Sequence, residues 1–217
     1  FSQADKELNK IIEDINTRET GQKYSGKFGG LYKKIRETYT KIKIEGGLYN
    51  YYTPANIDSD SDIRIYMLLF EGIRLGGLLH DIGHPPYSHV SENALNHLYK
   101  NVSEKKAEDR NKKETEFLSI LDHMVGEEHQ LHEEMGVKIA GILLHEAIKD
   151  VSEDSVKGDA AVYEEQLYRV MVKEITIRIL RESTPFFKDL HGIIDGTLDG
   201  DRLDYVSRDP ENSGFQL

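Results

Sequence analysis

The chain contains no cysteine. That excludes a disulfide framework, a thiolate zinc site and a cysteine nucleophile, so any bound metal must sit on nitrogen and oxygen ligands. No run of residues reads as a transmembrane span. The most apolar segment, Ile63 to Leu79, carries Arg64, Glu71 and Arg74. A signal-like start is missing too, so a cytoplasmic location is the expectation and a membrane partner is not. The charge balance has no basic excess. At a net charge of −11 the chain lacks the electrostatic footprint of a DNA- or RNA-binding protein. An acidic enzyme still binds phosphates where a metal and a few local cations carry the positive field. Strand-type alternation is nearly absent, and there is no internal repeat or low-complexity tract.

Helical periodicity dominates what remains, which predicts an all-α fold. The 217 residues, 38% hydrophobic, suffice for one domain with a true core. Ala4 to Thr17 places Leu8, Ile11, Ile12 and Ile15 on one face. Gly26 to Gly30 reads as a loop, Leu31 to Ile44 as a second helix, and Gly46 to Asp62 as another loop. Ile63 to Ile82 is apolar on almost every face, as a central buried helix should be. Ser88 can cap the next helix, expected to run to about Lys100. Ser103 to Thr115 is a charge run, read as a solvated helix or mobile insertion. Glu116 to Met124, Leu131 to Ile148 and Ala161 to Glu182 read as amphipathic helices, with Pro185 stopping the last. Val151 to Lys157 reads as a loop, and His191 to Asp209 completes the set. Phe1 and the closing Gly-Phe-Gln-Leu do not look like natural termini, so a piece of a longer protein is expected.

Chemistry concentrates in residues 80 to 92, His80-Asp81-Ile82-Gly83-His84-Pro85-Pro86-Tyr87-Ser88-His89-Val90-Ser91-Glu92. The adjacent His80 and Asp81 offer an imidazole and a hard carboxylate to one divalent metal such as Mn, Fe, Ni or Zn. Gly83, Pro85 and Pro86 break the helix straight after the pair. Ionisable residues at the end of so apolar a helix are costly unless something compensates them, which favours a metal over a merely polar helix end. Further on, Asp201, Tyr205 and Asp209 would stack on one helical face, with Arg202 about 100° from Asp201. That face fits a nucleotide's metal, sugar, hydroxyl and phosphate, and it fits equally an acid-rich helix start favoured by the macrodipole. His132 lies beside the core side of its helix, which Leu131, Met135, Ile139 and Ile142 mark. Alone it would read as a surface histidine. His97, His123, His129, His145 and His191 read as ordinary histidines.

Together these motifs resemble the HD-domain metal-dependent phosphohydrolases. The string from His80 to His89, the segment Asp201-Arg202-Leu203-Asp204-Tyr205 through Arg208-Asp209, and Leu131-His132-Glu133-Glu134 in place of a Thr-His-Glu element are similar to the deoxynucleoside triphosphate triphosphohydrolase (dGTPase-like) branch. The likeness spans about residues 63 to 214. It implies an HD-domain helical bundle around a buried metal site, with residues 63 to 217 as catalytic core and residues 1 to 62 as N-terminal helices and loop, truncated at the start. It implies His80, Asp81 and Asp201 as metal ligands. It implies His84, Arg202, Tyr205 and Asp209 as substrate-binding residues, and His89, Glu92 and His132 as the catalytic cluster. The family's fourth ligand, a histidine in an upstream Arg-x-x-His element, has no counterpart, because no histidine precedes His80. Truncation accounts for that more simply than loss.

The resemblance further implies a divalent metal (Mn, Fe, Ni, Zn or Mg), a nucleotide substrate, an allosteric nucleotide and a homo-oligomer. The implied reaction converts a deoxynucleoside triphosphate to the deoxynucleoside and inorganic triphosphate. Two alternatives stay open: an HD phosphohydrolase acting on another nucleotide or phosphoester, and a non-catalytic nucleotide-sensing module.

Overall fold

A computed structural model describes residues 2–18, 59–122, 131–153 and 160–196. Every regular element among them is helical, in agreement with the all-α expectation. In chain order these are α1 (Ser2–Arg18), α2 (Asp60–Leu79), α3 (His89–Ser103), a 3-10 turn (Ala107–Asp109), α4 (Lys112–Leu121), α5 (Leu131–Glu153), α6 (Ala160–Leu180) and α7 (Pro185–His191). None of these helices is long and apolar enough to cross a membrane. The readings of Gly26 to Gly30, Leu31 to Ile44 and most of Gly46 to Asp62 lie outside the described residues. The chain divides into two compact units, Phe1–Gly76 with Leu144–Leu217, and Gly77–Leu143.

The first unit holds the larger core. The stripe expected on α1 is buried through Ala4, Leu8, Ile11 and Ile15, with Ile12 at its edge. Those side chains share a cluster with Ile63, Ile65, Met67 and Leu68 of α2 and with Leu167, Met171, Ile175 and Ile179 of α6. Phe187 of α7 and Ile194 complete it. Burial of a Leu, Ile or Phe side chain contributes about 1.5–3 kcal/mol, so this cluster outweighs the ion pairs at its rim. One of those pairs joins Arg64 to Asp5 at 3.4 Å, and another joins Arg178 to Asp14. Pro185 does not stop α6 as expected. The helix ends at Leu180, and Glu182 turns left-handed at φ 48°, with its N–H donating to the Ile179 carbonyl at 3.0 Å. That is a C-terminal cap of the left-handed type. Pro185 instead opens α7, where its missing N–H costs nothing.

In the second unit α3 and α4 pack as a hairpin through Val102, Leu118 and Leu121. The charged run between them is almost wholly exposed, as the solvated reading expects, but it forms the 3-10 turn and the start of α4 rather than one helix. Arg110 donates to the Val102 and Ser103 carbonyls at 3.2 and 2.7 Å, satisfying the open end of α3. Asn111 and Glu114 form a capping box at the start of α4. The Tyr99 hydroxyl donates to Asp122 at 2.7 Å across the hairpin, and that bond raises the tyrosine's pKa. The core side of α5 also differs from expectation. Leu131, Val137 and Ala140 are buried, whereas Ile142 is 64% exposed. The buried face includes Gly136, because another backbone segment approaches the helix there.

Candidate functional site

Helix α2 ends at Leu79, three residues earlier than expected, and His80 to Gly83 form a turn. His80 Nδ1 lies 2.8 Å from the Gly77 carbonyl. A carbonyl only accepts, so Nδ1 carries the hydrogen and a neutral His80 keeps its lone pair on Nε2. That nitrogen is 3.3 Å from Asp81 Oδ2, and Asp81 Oδ1 is 3.3 Å from His84 Nε2. Asp81 thus lies beside two imidazoles while its side chain stays 59% exposed.

Gly83 is sterically required where it sits. A Cβ there would fall 2.7 Å from Gly136 Cα and closer still to the His132 carbonyl oxygen. Backbone of the His-Asp turn therefore lies directly on backbone of α5. This contact brings His84 beside His132, whose rings stack 3.9 Å apart at 15°.

After His84, Pro86 and Tyr87 occupy the middle of a turn closed by Ser88 N–H donating to the Pro85 carbonyl at 2.8 Å. Tyr87 has φ 68° and Ser88 φ 49°. Ser88 stands at the N-cap of α3 as expected, but its side chain makes no cap hydrogen bond. Its hydroxyl lies 3.3 Å from His84 Nδ1 instead. The missing cap is offset by the Ser88 carbonyl, which accepts from Ser91 and Glu92 at 3.1 and 3.2 Å.

Glu92 projects from the first turn of α3 and is only 3% exposed. It accepts from the His132 backbone N–H at 3.2 Å and from His132 Nδ1 at 2.9 Å, and it faces His89 Nδ1 at 3.4 Å. Burial pushes the carboxyl up, yet the side-chain and backbone hydrogen bonds from His132 outweigh it and hold Glu92 below the ordinary range. A carboxylate on Nδ1 fixes the hydrogen there, so His132 also presents a bare Nε2. Burial first, and His132 second, lower the His84 pKa and favour its neutral ring. Stacked rings this close disfavour two charges.

One ligand atom each from His84, His89, Glu92 and His132 lies within 4.8 Å of the others. These four therefore form a site that could hold a divalent metal. The donor set fits such an ion: imidazole nitrogens and a carboxylate suit Mn, Fe, Ni or Zn, and the Glu92–His132 bond leaves Nε2 free to ligate. The expected catalytic trio, His89, Glu92 and His132, is thus brought together with His84. His80 and Asp81 adjoin the group through the Asp81–His84 contact. Asp201, Arg202, Tyr205 and Asp209 lie outside the described residues. Sequence reading missed Gly83 with Gly136 and the Ser88–His84 contact. A glycine on each of two elements that supply site histidines was the available signal for the first.

Residues 68–141 match the family model of the HD domain. That span contains every described residue of the cluster. A protein of Acanthamoeba polyphaga mimivirus, described as HD domain-containing, is 36% identical over 66 residues, 30% of this chain and 14% of that protein. No solved structure matches.

Proposed function

We propose that this chain is a metal-dependent phosphohydrolase that converts a deoxynucleoside triphosphate to the deoxynucleoside and inorganic triphosphate. The observation that carries this reading is the buried Glu92–His132 pair, set in one group with His84 and His89. In this reading His80, Asp81 and Asp201 would hold a divalent metal, which would supply Lewis-acid stabilisation of charge on an α-phosphate oxygen. Arg202, Tyr205 and Asp209 bind triphosphate, sugar and 3′-hydroxyl. His84, steadied by Ser88 at Nδ1, donates from Nε2 to the phosphates once Asp81, its present neighbour there, turns to the metal.

A water oriented by His89, Glu92 and His132 attacks the α-phosphorus and gives up a proton to that cluster. The bond from phosphorus to the 5′ oxygen breaks. A histidine of the cluster protonates that leaving oxygen, a step worth roughly 10²–10⁴-fold. The HD-domain match supports a metal-dependent phosphohydrolase, and the resemblance of the motif strings supports the dNTP branch.

The experiment is incubation of the chain with each dNTP and Mn²⁺, with and without a second nucleotide as activator, followed by anion-exchange chromatography. Inorganic triphosphate with deoxynucleoside is the expected pair of products. Orthophosphate or a nucleoside monophosphate would assign the chain to another phosphoester reaction. No product from any dNTP would leave a nucleotide-sensing module.

A further inference from the structure

We infer that Tyr87 is the surface on which the substrate's nucleobase stacks, an assignment that rests on the nucleotide reading of the site. The turn holding Tyr87 has Pro86 at its second position and Tyr87, at φ 68°, at its third. That third position normally takes glycine, because a side chain there is strained. Ser88 beside it is also left-handed, but its conformation places its hydroxyl on His84. Tyr87 has no such return. Its side chain is 86% exposed, so the ring buries almost nothing.

A large apolar ring held in a strained backbone and left in water is disfavoured twice in the free protein. Packing among the described residues does not explain it. Its place in the chain does, because the turn that holds Tyr87 joins His84 to His89 and is tied to His84 by the Ser88 hydroxyl at 3.3 Å. Val90, whose N–H donates to the Tyr87 carbonyl at 3.2 Å, is also 75% exposed. A substrate whose phosphates meet that cluster carries one large flat group with a π-face, the base. Stacking of a base on an aromatic ring is indifferent to base identity and adds affinity without hydrogen-bond readout.

The test compares wild type, Tyr87→Gly and Tyr87→Phe by calorimetric titration of Mn²⁺–dNTP and of Mn²⁺–tripolyphosphate, together with thermal unfolding. The inference expects Tyr87→Gly to weaken dNTP binding about tenfold, the scale of one lost stack. It expects tripolyphosphate affinity to stay unchanged and Tyr87→Phe to bind as wild type. Glycine relieves the left-handed strain, so Tyr87→Gly should unfold at the same or a higher temperature. A ring that served the fold would lower it. Equal dNTP affinity in Tyr87→Gly, equal losses for dNTP and tripolyphosphate, or a lower unfolding temperature each overturn the inference. A wild type that binds dNTPs without hydrolysing them overturns the proposed reaction alone, and one that binds no dNTP overturns both.

Discussion

Replacing Glu92 with Gln tests the cluster at its most buried point. Both carboxylate oxygens accept: Oε1 from the His132 backbone at 3.2 Å and Oε2 from His132 Nδ1 at 2.9 Å. An amide has only one accepting end. If its oxygen keeps the backbone N–H, its NH₂ meets the hydrogen on Nδ1, and His132 must change tautomer and lose its free Nε2. Hydrogen bonds to a charged group contribute about 1.5–3 kcal/mol and neutral ones about 0.5–1.5. Glu92→Gln should therefore destabilise by about 2 kcal/mol at pH 7, or about 4–8 °C in unfolding temperature for a chain of this size. Because Glu92 titrates below its unfolded value, its contribution is present above the ordinary carboxylate range and lost as pH falls through the folded pKa. The gap between wild type and variant should be widest near neutrality and close in acid. Turnover should fall roughly 10²–10⁴-fold, the worth of a misplaced acid–base group. Denaturant unfolding across pH, with histidine nitrogen NMR to report the tautomer, reads all three effects. A gap under about 0.5 kcal/mol, far below the lost charge-assisted bond, or one constant with pH would refute the reasoning.

Gly83→Ala should destabilise by roughly 1–3 kcal/mol, since its Cβ lands on backbone that cannot give way. Gly136→Ala, whose nearest neighbour would be 3.4 Å away, should cost much less in the same melting assay. Gly77 has nothing within 4 Å of its missing Cβ and lies inside α2, so Gly77→Ala should stabilise by about 0.5–1 kcal/mol. His80→Ala and Asp81→Ala should lower metal content in elemental analysis. His132→Ala should keep the metal and lose turnover, and the reverse pattern would place the ion among His84, His89, Glu92 and His132.

Much of the architecture was legible because periodicity reports burial. The stripe of Leu8, Ile11 and Ile15 is buried on α1, and the apolar run of α2 begins where expected. The misreadings occurred where backbone contacts override side-chain pattern. On α5 the large apolar residues suggested the core side, but Gly83 packs against Gly136, so Val137 and Ala140 turn inward and Ile142 outward. In the charge run at 103 to 115, Arg110 bonds backbone carbonyls and Lys105 pairs with Glu114, contacts that composition does not display. At the site, the motif string signalled His84, His89 and Glu92. Their meeting with His132, 40 residues beyond Glu92, depends on tertiary geometry.

The most direct test of the central claim is turnover of a dNTP in oxygen-18 water, with both products analysed by mass spectrometry. Attack of cluster-oriented water on the α-phosphorus predicts one heavy oxygen in the inorganic triphosphate and none in the deoxynucleoside. Label in the deoxynucleoside, or in orthophosphate without triphosphate, would contradict it.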